Sequence, residues 1–172
     1  MLNRVIKSSA RSSSMQLTEC LNSLMAIELM HPSLELYLIS PWISNMPLIK
    51  SQFGQFRAIM GELGKSELRL ADVMTILAER GTKVCIMCRP DQSSTDDFLR
   101  RLPSNLANIE VRQTGTLHEK GLISQYFYLR GSMNFTYSGI SFNDESIELT
   151  TEPELVGNAL IEARLRWENL AL

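Results

Sequence analysis

Two short and almost wholly apolar segments constrain the fold of this chain most strongly. Residues 34–44 (LELYLISPWIS) and 83–90 (KVCIMCRP) are rich in Leu, Ile, Val and Met, and each reaches a proline near its end. Apolar runs this short predict strands that are buried on both faces. Strands of this kind lie in the middle of a sheet that is covered by helices on both sides.

The remaining segments alternate between helical and extended patterns. Helices are predicted at residues 15–30, 67–80, 91–102 and 153–170. Further strands are expected at residues 108–114, 117–124, 125–132 and 145–151. Because strands alternate with helices early in the chain and cluster later, the pattern indicates an α/β fold, with a mixed β-sheet flanked by helices in an α/β/α sandwich.

Helical spacing of apolar residues predicts which faces are buried. The predicted inward-facing residues are Leu17, Leu21, Leu24 and Met25, then Leu70, Val73, Met74 and Leu77, and finally Leu155, Leu160, Ile161 and Leu165. Gly81 is expected to end the second helix, and Thr95 or Asp96 to cap the third. Residues 1–14 are interpreted as a polar lead, and residues 45–66 as a loop with some helix.

The length of 172 residues suits one core. We divide the chain into an N-terminal lead and helix, residues 1–33, and one sandwich domain, residues 34–172. The net charge is −2, whereas nucleic-acid-binding proteins usually carry a basic surplus. Any nucleic-acid contact must therefore come from a local basic patch or from a partner subunit.

The cysteines and the hydropathy favour a cytoplasmic protein. Three cysteines and an N-terminus without an uninterrupted apolar segment argue against a secreted disulfide scaffold. No apolar run approaches the roughly 20 residues that a membrane span needs. Cys85 and Cys88 are three apart on a predicted strand, so they face opposite sides and are interpreted as core residues rather than as a metal pair.

Three polar pairs, each separated by one residue, carry the chemistry. They are His118 with Lys120, Ser132 with Asn134, and Asn143 with Glu145. Side chains two apart on a strand leave the same face of the sheet. If the strands are neighbours, the pairs meet in one cleft at the edge of the sheet.

This set of side chains suits attack on a phosphodiester. His118 provides a nucleophile or base near neutral pH. Lys120, Ser132 and Asn134 can supply a cation and neutral donors to the phosphoryl oxygens. Glu145 can hold an imidazole in one tautomer. No metal or other cofactor is required by this inventory, and we predict none.

The segment resembles the HKD motif of the phospholipase D superfamily, H-x-K-x4-D followed by G-S-x-N. Here the motif comprises His118, Lys120 and then Gly131-Ser132-Met133-Asn134, with Asn143-Asp144-Glu145 similar to the family's downstream N-x-E. Gln125 occupies the place of the motif Asp, which in the family supports the site without touching phosphate. The resemblance covers roughly residues 34–170 and implies a phospholipase D-like sandwich.

The resemblance also implies a function. It implies a metal-independent phosphodiesterase with His118, Lys120, Ser132, Asn134 and Glu145 as catalytic residues. Substrate-binding roles are expected for Gly131, Asn143, Trp42 and Arg130. Members with a single HKD motif pair two chains, so a homodimer acting on DNA or another nucleic acid is expected. Among these members the chain is similar to a component of a bacterial DNA restriction system, which implies further defence subunits as partners.

Two other functions remain open from the sequence. Gln125 and the acidic pI of about 5.7 favour a binding module that holds nucleic acid or a partner protein without cutting. A phospholipid hydrolase is the second alternative, and the lack of a membrane-binding segment weighs against it.

Arg100 and Arg101 are interpreted as a solvated helix edge or as a contact to a nucleic-acid backbone, and His31 as a structural residue at a helix exit.

Overall fold

A computed structural model describes residues 3–8, 14–50, 66–141 and 145–170. In these ranges the strands are β1 (Asn3–Ser8), β2 (Glu35–Ile39), β3 (Pro47–Lys50), β4 (Glu67–Arg69), β5 (Lys83–Cys88), β6 (Ile109–Gln113), β7 (Gly121–Ile123), β8 (Tyr128–Gly131) and β9 (Glu145–Thr150). The helices are α1 (Ser14–Met30), α2 (Leu70–Glu79), α3 (Ser93–Arg100), α4 (Tyr137–Ser141) and α5 (Pro153–Asn169). No helix in these ranges is long and apolar enough to cross a membrane.

Seven strands form one mixed sheet in the order β1-β9-β8-β7-β2-β5-β6. Strands β2, β5 and β6 are parallel to one another, whereas β7, β8, β9 and β1 follow in antiparallel pairs. Strands β3 and β4 form a separate antiparallel pair. The mixed α/β sheet flanked by helices is the fold class that the sequence predicts.

The two faces of the sheet pack against different helices. On β2, Leu36 and Leu38 join the larger core with α1 and α2, whereas Tyr37 and Ile39 join the smaller core under α5. The period of two along a strand separates the faces in this way. The result is the α/β/α sandwich, with its central strands buried on both sides as their apolar sequences predict.

The two cysteines of β5 confirm this alternation. Cys88 lies in the larger core and Cys85 in the smaller one, and both side chains are fully buried. Burial raises the pKa of Cys85 to about 12, because the thiolate cannot be solvated there. The prediction that this pair is core rather than a metal site is therefore confirmed.

The buried faces of α1 and α2 agree with the sequence. All eight predicted inward residues of these two helices are buried. Gly81 has a φ of 97° directly after α2 and donates its N–H to the Ala78 carbonyl, so the predicted glycine ending is confirmed. Residues 67–69, assigned to this helix from the sequence, instead form β4.

Further predictions of local structure are wrong. The polar lead is interrupted by β1, which pairs with β9 over six residues. Residues 45–66 contain β3, and the part from 51 to 65 lies outside the described residues. The residue that caps α3 is Gln92, because Thr95 is buried inside the helix and accepts a hydrogen bond from the Ile43 N–H. In α5, Val156, Ala159, Ala163 and Trp167 are buried with Leu160, while Leu155, Ile161 and Leu165 are about half exposed.

A buried carboxylate links the end of α1 to the loop that precedes β2. Glu28 is fully buried and accepts hydrogen bonds from the Ser33 N–H at 3.2 Å and from the Ser33 hydroxyl at 2.9 Å. Burial raises the pKa of Glu28 although hydrogen bonds from Ser33 and Ser124 oppose the shift. The folded state therefore binds a proton at Glu28 more tightly than the unfolded chain does.

The raised pKa of Glu28 makes stability depend on pH. Its contribution is fully present below the ordinary value of 4.5 and is lost as the pH rises through the folded-state pKa. Compared with Glu28→Gln, the wild-type protein should lose free energy of unfolding as the pH rises from 4.5 through the raised folded-state pKa of Glu28. Urea denaturation across this range tests the difference, with Glu154→Gln on the exposed side of α5 as control. A difference that stays constant with pH would contradict the expectation.

Candidate active site

One end of the sheet collects the polar residues that the sequence singles out. Strands β2, β5 and β6 end there, and β7 begins there because it runs antiparallel to β2, with Ile39 opposite Gly121. In turn β8 ends and β9 begins at this end, since Arg130 pairs with Gly121 and Gly131 with Ile147. Residues just before β7, just after β8 and at the start of β9 therefore become neighbours.

His118 is exposed and contacts an arginine from the end of β5. The Nη2 atom of Arg89 lies 3.0 Å from both the Nδ1 and the Nε2 atoms of His118. Arg89 is itself held in place, because its Nε donates to the Leu117 carbonyl at 2.6 Å and its backbone N–H donates to the Pro41 carbonyl. A guanidinium only donates, so this arrangement suits an imidazole with an unprotonated nitrogen.

Lys120 lies next to His118 and opposite the end of β8. Its Nζ atom donates to the His118 carbonyl at 2.7 Å, and its own carbonyl accepts from the Gly131 N–H at 3.4 Å. Residues 117–120 are not part of a strand, since β7 begins only at Gly121. The predicted strand spacing does not apply here; the hydrogen bonds of the loop set the geometry of His118 and Lys120 instead.

Ser132 and Glu145 form a direct hydrogen-bonded pair across β8 and β9. The Ser132 hydroxyl donates to the Glu145 carboxylate at 2.5 Å and accepts from the Ser146 N–H at 3.0 Å. Glu145 is buried, with 8% of its surface exposed, whereas Ser132 is exposed. A charge-assisted bond of this kind orients the hydroxyl and keeps the buried carboxylate satisfied. The sequence predicts Glu145 as the partner of an imidazole, and the contact seen is with Ser132.

Gly131 allows the two strands to approach. A Cβ atom at this position would lie 2.1 Å from the Ser146 carbonyl oxygen and 2.8 Å from the Cα of Ile147. No side chain fits at such distances without moving the backbone. Gly131 therefore sets the close β8–β9 approach that places Ser132 against Glu145.

Asn134 follows in the loop after β8. Its side-chain oxygen is buried and accepts no hydrogen bond from the residues that the structure describes. A buried acceptor of this kind is suited to a donor from a bound molecule. The neighbouring Phe135 is tied to the end of β2, because its N–H donates to the Ser40 hydroxyl at 3.2 Å.

The predicted substrate-binding residues have different surroundings. Trp42 is 43% exposed beside Pro41, whose carbonyl holds Arg89, so it lies at the rim of the site. Arg130 is exposed and bonded to Glu148 at 2.8 Å, which raises the pKa of Arg130. Asn143, also predicted to bind substrate, lies outside the described residues.

Gln125, the departure from the HKD pattern, lies far from the chemistry. It follows the last strand residue of β7, whereas His118 precedes the first, so the two residues are at opposite ends of the sheet. The Gln125 side chain accepts a hydrogen bond from the Leu34 N–H at 3.4 Å. Gln125 therefore makes a structural contact at the end of the sheet opposite His118.

The residue that sequence reasoning missed is Arg89. The available signal was its position directly after a buried strand, since ligands bind in open α/β sheets beyond the carboxyl ends of the strands. The sequence alone does not show that β5 ends next to His118, because the intervening chain contains α3 and β6. That neighbour relation arises only from the strand order.

Two cations thus lie beside the exposed His118, and the hydrogen-bonded pair of Ser132 and Glu145 lies at the same end of the sheet. Arg89 and Lys120 can balance the negative charge of a phosphodiester, and the Ser132 hydroxyl can donate to a phosphoryl oxygen if it turns from Glu145. Within the described ranges, no three His, Cys, Asp or Glu side chains converge as a metal site would require. The site defines an α/β protein equipped for phosphoryl chemistry.

Comparison with known families agrees with this class. Residues 47–166, more than half of the chain, match the family described as cardiolipin synthase, PLD-like domain. The chain therefore belongs to the phospholipase D-like family. No curated protein sequence matches the chain significantly.

Solved structures share the fold at low sequence identity. NUC from Salmonella typhimurium, described as a phospholipase D family member, is 16% identical with a TM-score of 0.60, over 97% of this chain and 94% of that one. NucT from Helicobacter pylori is 14% identical with a TM-score of 0.64, over 97% and 96%. TrmBL2, an archaeal chromatin protein whose structure shows a mode of DNA binding, is 14% identical with a TM-score of 0.51, over 98% of this chain and 53% of that one.

The close approach at Gly131 can be tested with a matched glycine. Gly131→Ala should lower the free energy of unfolding by about 2 kcal/mol or more, because the new methyl group displaces β9. Gly157→Ala in α5 serves as control, since nothing lies within 4 Å of its added Cβ. That change should be neutral or stabilise by about 0.5–1 kcal/mol. Chemical denaturation measures both, and equal effects would refute the packing argument.

Proposed function

We propose that this protein is a metal-independent phosphodiesterase that cuts nucleic acid, with DNA as the favoured substrate. The observation that supports it most is the convergence of His118, Lys120 and the Ser132–Glu145 pair at one end of the sheet. In this reading the residues with catalytic roles are His118, Lys120, Ser132, Asn134 and Glu145, and Arg89 positions the imidazole.

The chemistry proceeds in two displacements. An unprotonated nitrogen of His118 attacks phosphorus, and the bond from phosphorus to the leaving oxygen breaks as that oxygen takes a proton from a general acid. Water then attacks the phosphohistidine, gives its proton to the same group, and breaks the phosphorus–nitrogen bond. Both groups return to their starting protonation states.

We assign the role of general acid to a second imidazole, that of His118 of the partner subunit. The chain contains two histidines, and His31 lies at the end of α1, away from the motif. An isologous dimer places the same residue of each chain face to face. We therefore propose a homodimer with one shared site on its two-fold axis.

The cations and donors of the site support a phosphate substrate. Two Lys120 ammonium groups would meet across the dimer axis together with the Arg89 side chains, and an anion between them relieves the repulsion. Asn143, Trp42, Arg130 and Gly131 are the proposed contacts to the rest of the substrate. Nucleic acid rather than lipid is favoured because the sequence predicts no membrane-binding amphipathic segment.

The biological setting of the reaction is inferred from a resemblance. The likeness in the HKD segment to DpdK, the phospholipase D-like component of the bacterial Dpd DNA-modification and restriction cluster, favours a role in restriction of foreign DNA with other defence subunits. We place the reaction in the cytoplasm, where free thiols such as those of Cys20, Cys85 and Cys88 stay reduced.

A binding module without catalysis is the competing function. The acidic net charge and Gln125 favour it on sequence grounds. The distance of Gln125 from His118 along the sheet weakens that argument, because the substitution leaves Ser132, Glu145 and Arg89 in contact with their partners. The hydrolysis assay below separates the two functions.

Hydrolysis should persist in a chelator. Wild-type protein should cut a labelled single-stranded oligonucleotide and the small diester bis(4-nitrophenyl) phosphate in excess EDTA, because Lys120 and Arg89 supply the positive charge. His118→Ala should lose at least about 1000-fold in rate, since it removes the nucleophile. His31→Ala is the control and should retain the wild-type rate. Tight binding without cutting would select the binding module, and activity restored only by added metal would refute the mechanism.

If the site is shared, activity depends on the ratio of wild-type to His118→Ala chains. Refolding wild-type chains with a ninefold excess of His118→Ala chains should reduce the activity per wild-type chain to roughly a tenth, because most wild-type chains then lack a second imidazole. The same excess of His31→Ala chains should leave that activity unimpaired. Activity that is independent of the mixing ratio, or full activity in a monomer, would contradict the dimer.

A further inference from the structure

A surface pocket lies beyond the rim of the proposed active site. It has a volume of about 360 Å³ and is lined by Ser44, Asn45, Met46, Arg69, Ser94, Asp97, Arg101 and Tyr137. The side chains come from the loop after β2, the end of β4, helix α3 and the start of α4. None of the residues that the proposed chemistry uses lines this pocket.

Guanidinium groups outnumber carboxylates around the pocket. Arg69 is bonded to Glu67 at 3.1 Å, and its Nη1 donates to the Asn45 carbonyl. Arg101 is bonded to Asp97 at 3.0 Å, and Asp97 also pairs with Arg100 at 3.7 Å. Among the residues that line the pocket, the two guanidinium groups of Arg69 and Arg101 face one carboxylate, that of Asp97.

These ion pairs leave the arginines available to a ligand. The side chains of Arg69 and Arg101 are 50% and 54% exposed. Exposed ion pairs contribute little to stability, so a phosphate can take over the guanidinium donors at small cost. The hydrogen bond from Arg101 lowers the pKa of Asp97, so this guanidinium favours an anion beside it.

The backbone joins the pocket to the catalytic residues. The Tyr137 N–H donates to the Ser44 hydroxyl at 2.8 Å, and the Ser44 N–H donates to the Phe135 carbonyl at 2.9 Å. Phe135 directly follows Asn134. One short loop therefore separates the pocket from the residues proposed to hold the scissile phosphate.

Two exposed aromatic rings lie along this path. Trp42 is 43% exposed and Tyr137 is 55% exposed. Both belong to segments that are fixed by hydrogen bonds, since the Trp42 carbonyl accepts from the Ser40 hydroxyl at 2.7 Å. Exposed rings beside arginines form the type of surface on which unpaired bases stack while cations contact the backbone.

We infer that this pocket binds a backbone phosphate of a single-stranded nucleic acid, next to the phosphate that is cut. In this arrangement Arg69 and Arg101 contact the phosphate, and Trp42 and Tyr137 stack against the flanking bases. The inference rests on the proposed function for the position of the cut, although binding can be measured without cutting. It implies that unpaired strands bind in preference to duplex, because a paired base cannot offer its face to Trp42.

A second groove is less suited to a nucleic-acid strand. It has a volume of about 510 Å³, lies between the β8–β9–β1 part of the sheet and α5, and includes Tyr128 and Arg130. It is lined by the two guanidinium groups of Arg4 and Arg130 and by the two carboxylates of Glu148 and Glu162. The charges there nearly balance, so we assign the strand to the pocket at Arg69 and Arg101.

Binding is tested in the His118→Ala background, where no cutting occurs. Fluorescence anisotropy of labelled oligodeoxythymidine should show weaker binding for Arg69→Gln and for Arg101→Gln. Each change should reduce the slope of log Kd against log salt by about 0.7, the effect of one lost phosphate contact on a single strand. Trp42→Ala should weaken binding on the order of tenfold, as for one lost base stack.

Arg164→Gln is the matched control. Arg164 is 52% exposed and paired with one carboxylate, Glu35, but Glu35 is at the start of β2, the end opposite the site. This variant should bind with the wild-type affinity and salt slope. Equal effects at Arg164 and Arg101, or equal affinity for a duplex of the same length, would overturn the inference.

Photocrosslinking decides the position of the strand without altering the pocket. Oligodeoxythymidine that carries 5-iodouracil should crosslink to Trp42 or Tyr137, and mass spectrometry of the digested protein identifies the residue. Crosslinks confined to Tyr128 would overturn the inference in favour of the second groove. Failure of wild-type protein to hydrolyse bis(4-nitrophenyl) phosphate would instead refute the proposed chemistry and leave the binding result valid.

Discussion

The antiparallel pairing of β7 with β2 is the constraint on which the site depends. Ile39 pairs with Gly121, so β7 begins where β2 and its parallel neighbour β5 end. A parallel β7 would carry His118 and Lys120 to the opposite end of the sheet. Because the direction reverses at this one strand pair, the loop before β7 meets Arg89 from β5 and the polar residues that follow β8.

At the same end of the sheet, the positively charged side chains are accessible and the carboxylate is buried. Arg89 and Lys120 lie on the accessible side beside His118, whereas Glu145 is buried and satisfied by Ser132. An exposed anion thus meets cations first, whereas the buried carboxylate is hydrogen-bonded to the Ser132 hydroxyl. This arrangement explains how a chain with a net charge of −2 offers a local surface that suits phosphate.

The agreement between sequence and structure depends on the kind of signal. Fully apolar strands and the amphipathic helices α1 and α2 were predicted correctly, because their burial follows from local periodicity. Helix α5 was oriented wrongly at Leu155, Ile161 and Leu165, because small residues such as Ala159 and Ala163 pack closest to the sheet instead. Strand β1 was missed, since an exposed edge strand with one buried residue, Ile6, has little apolar pattern.

The sequence by itself determined the sandwich class, the central strands and the chemical identity of the candidate site, because periodicity and motif spacing are local properties. It did not determine that Arg89 contacts His118, that Gln125 lies at the far end of β7, or that Glu145 bonds Ser132. Those relations depend on which strands become neighbours and in which direction they run, and packing of the whole chain decides both. The pocket at Arg69 and Arg101 has the same origin, since segments far apart in the chain meet there only after folding.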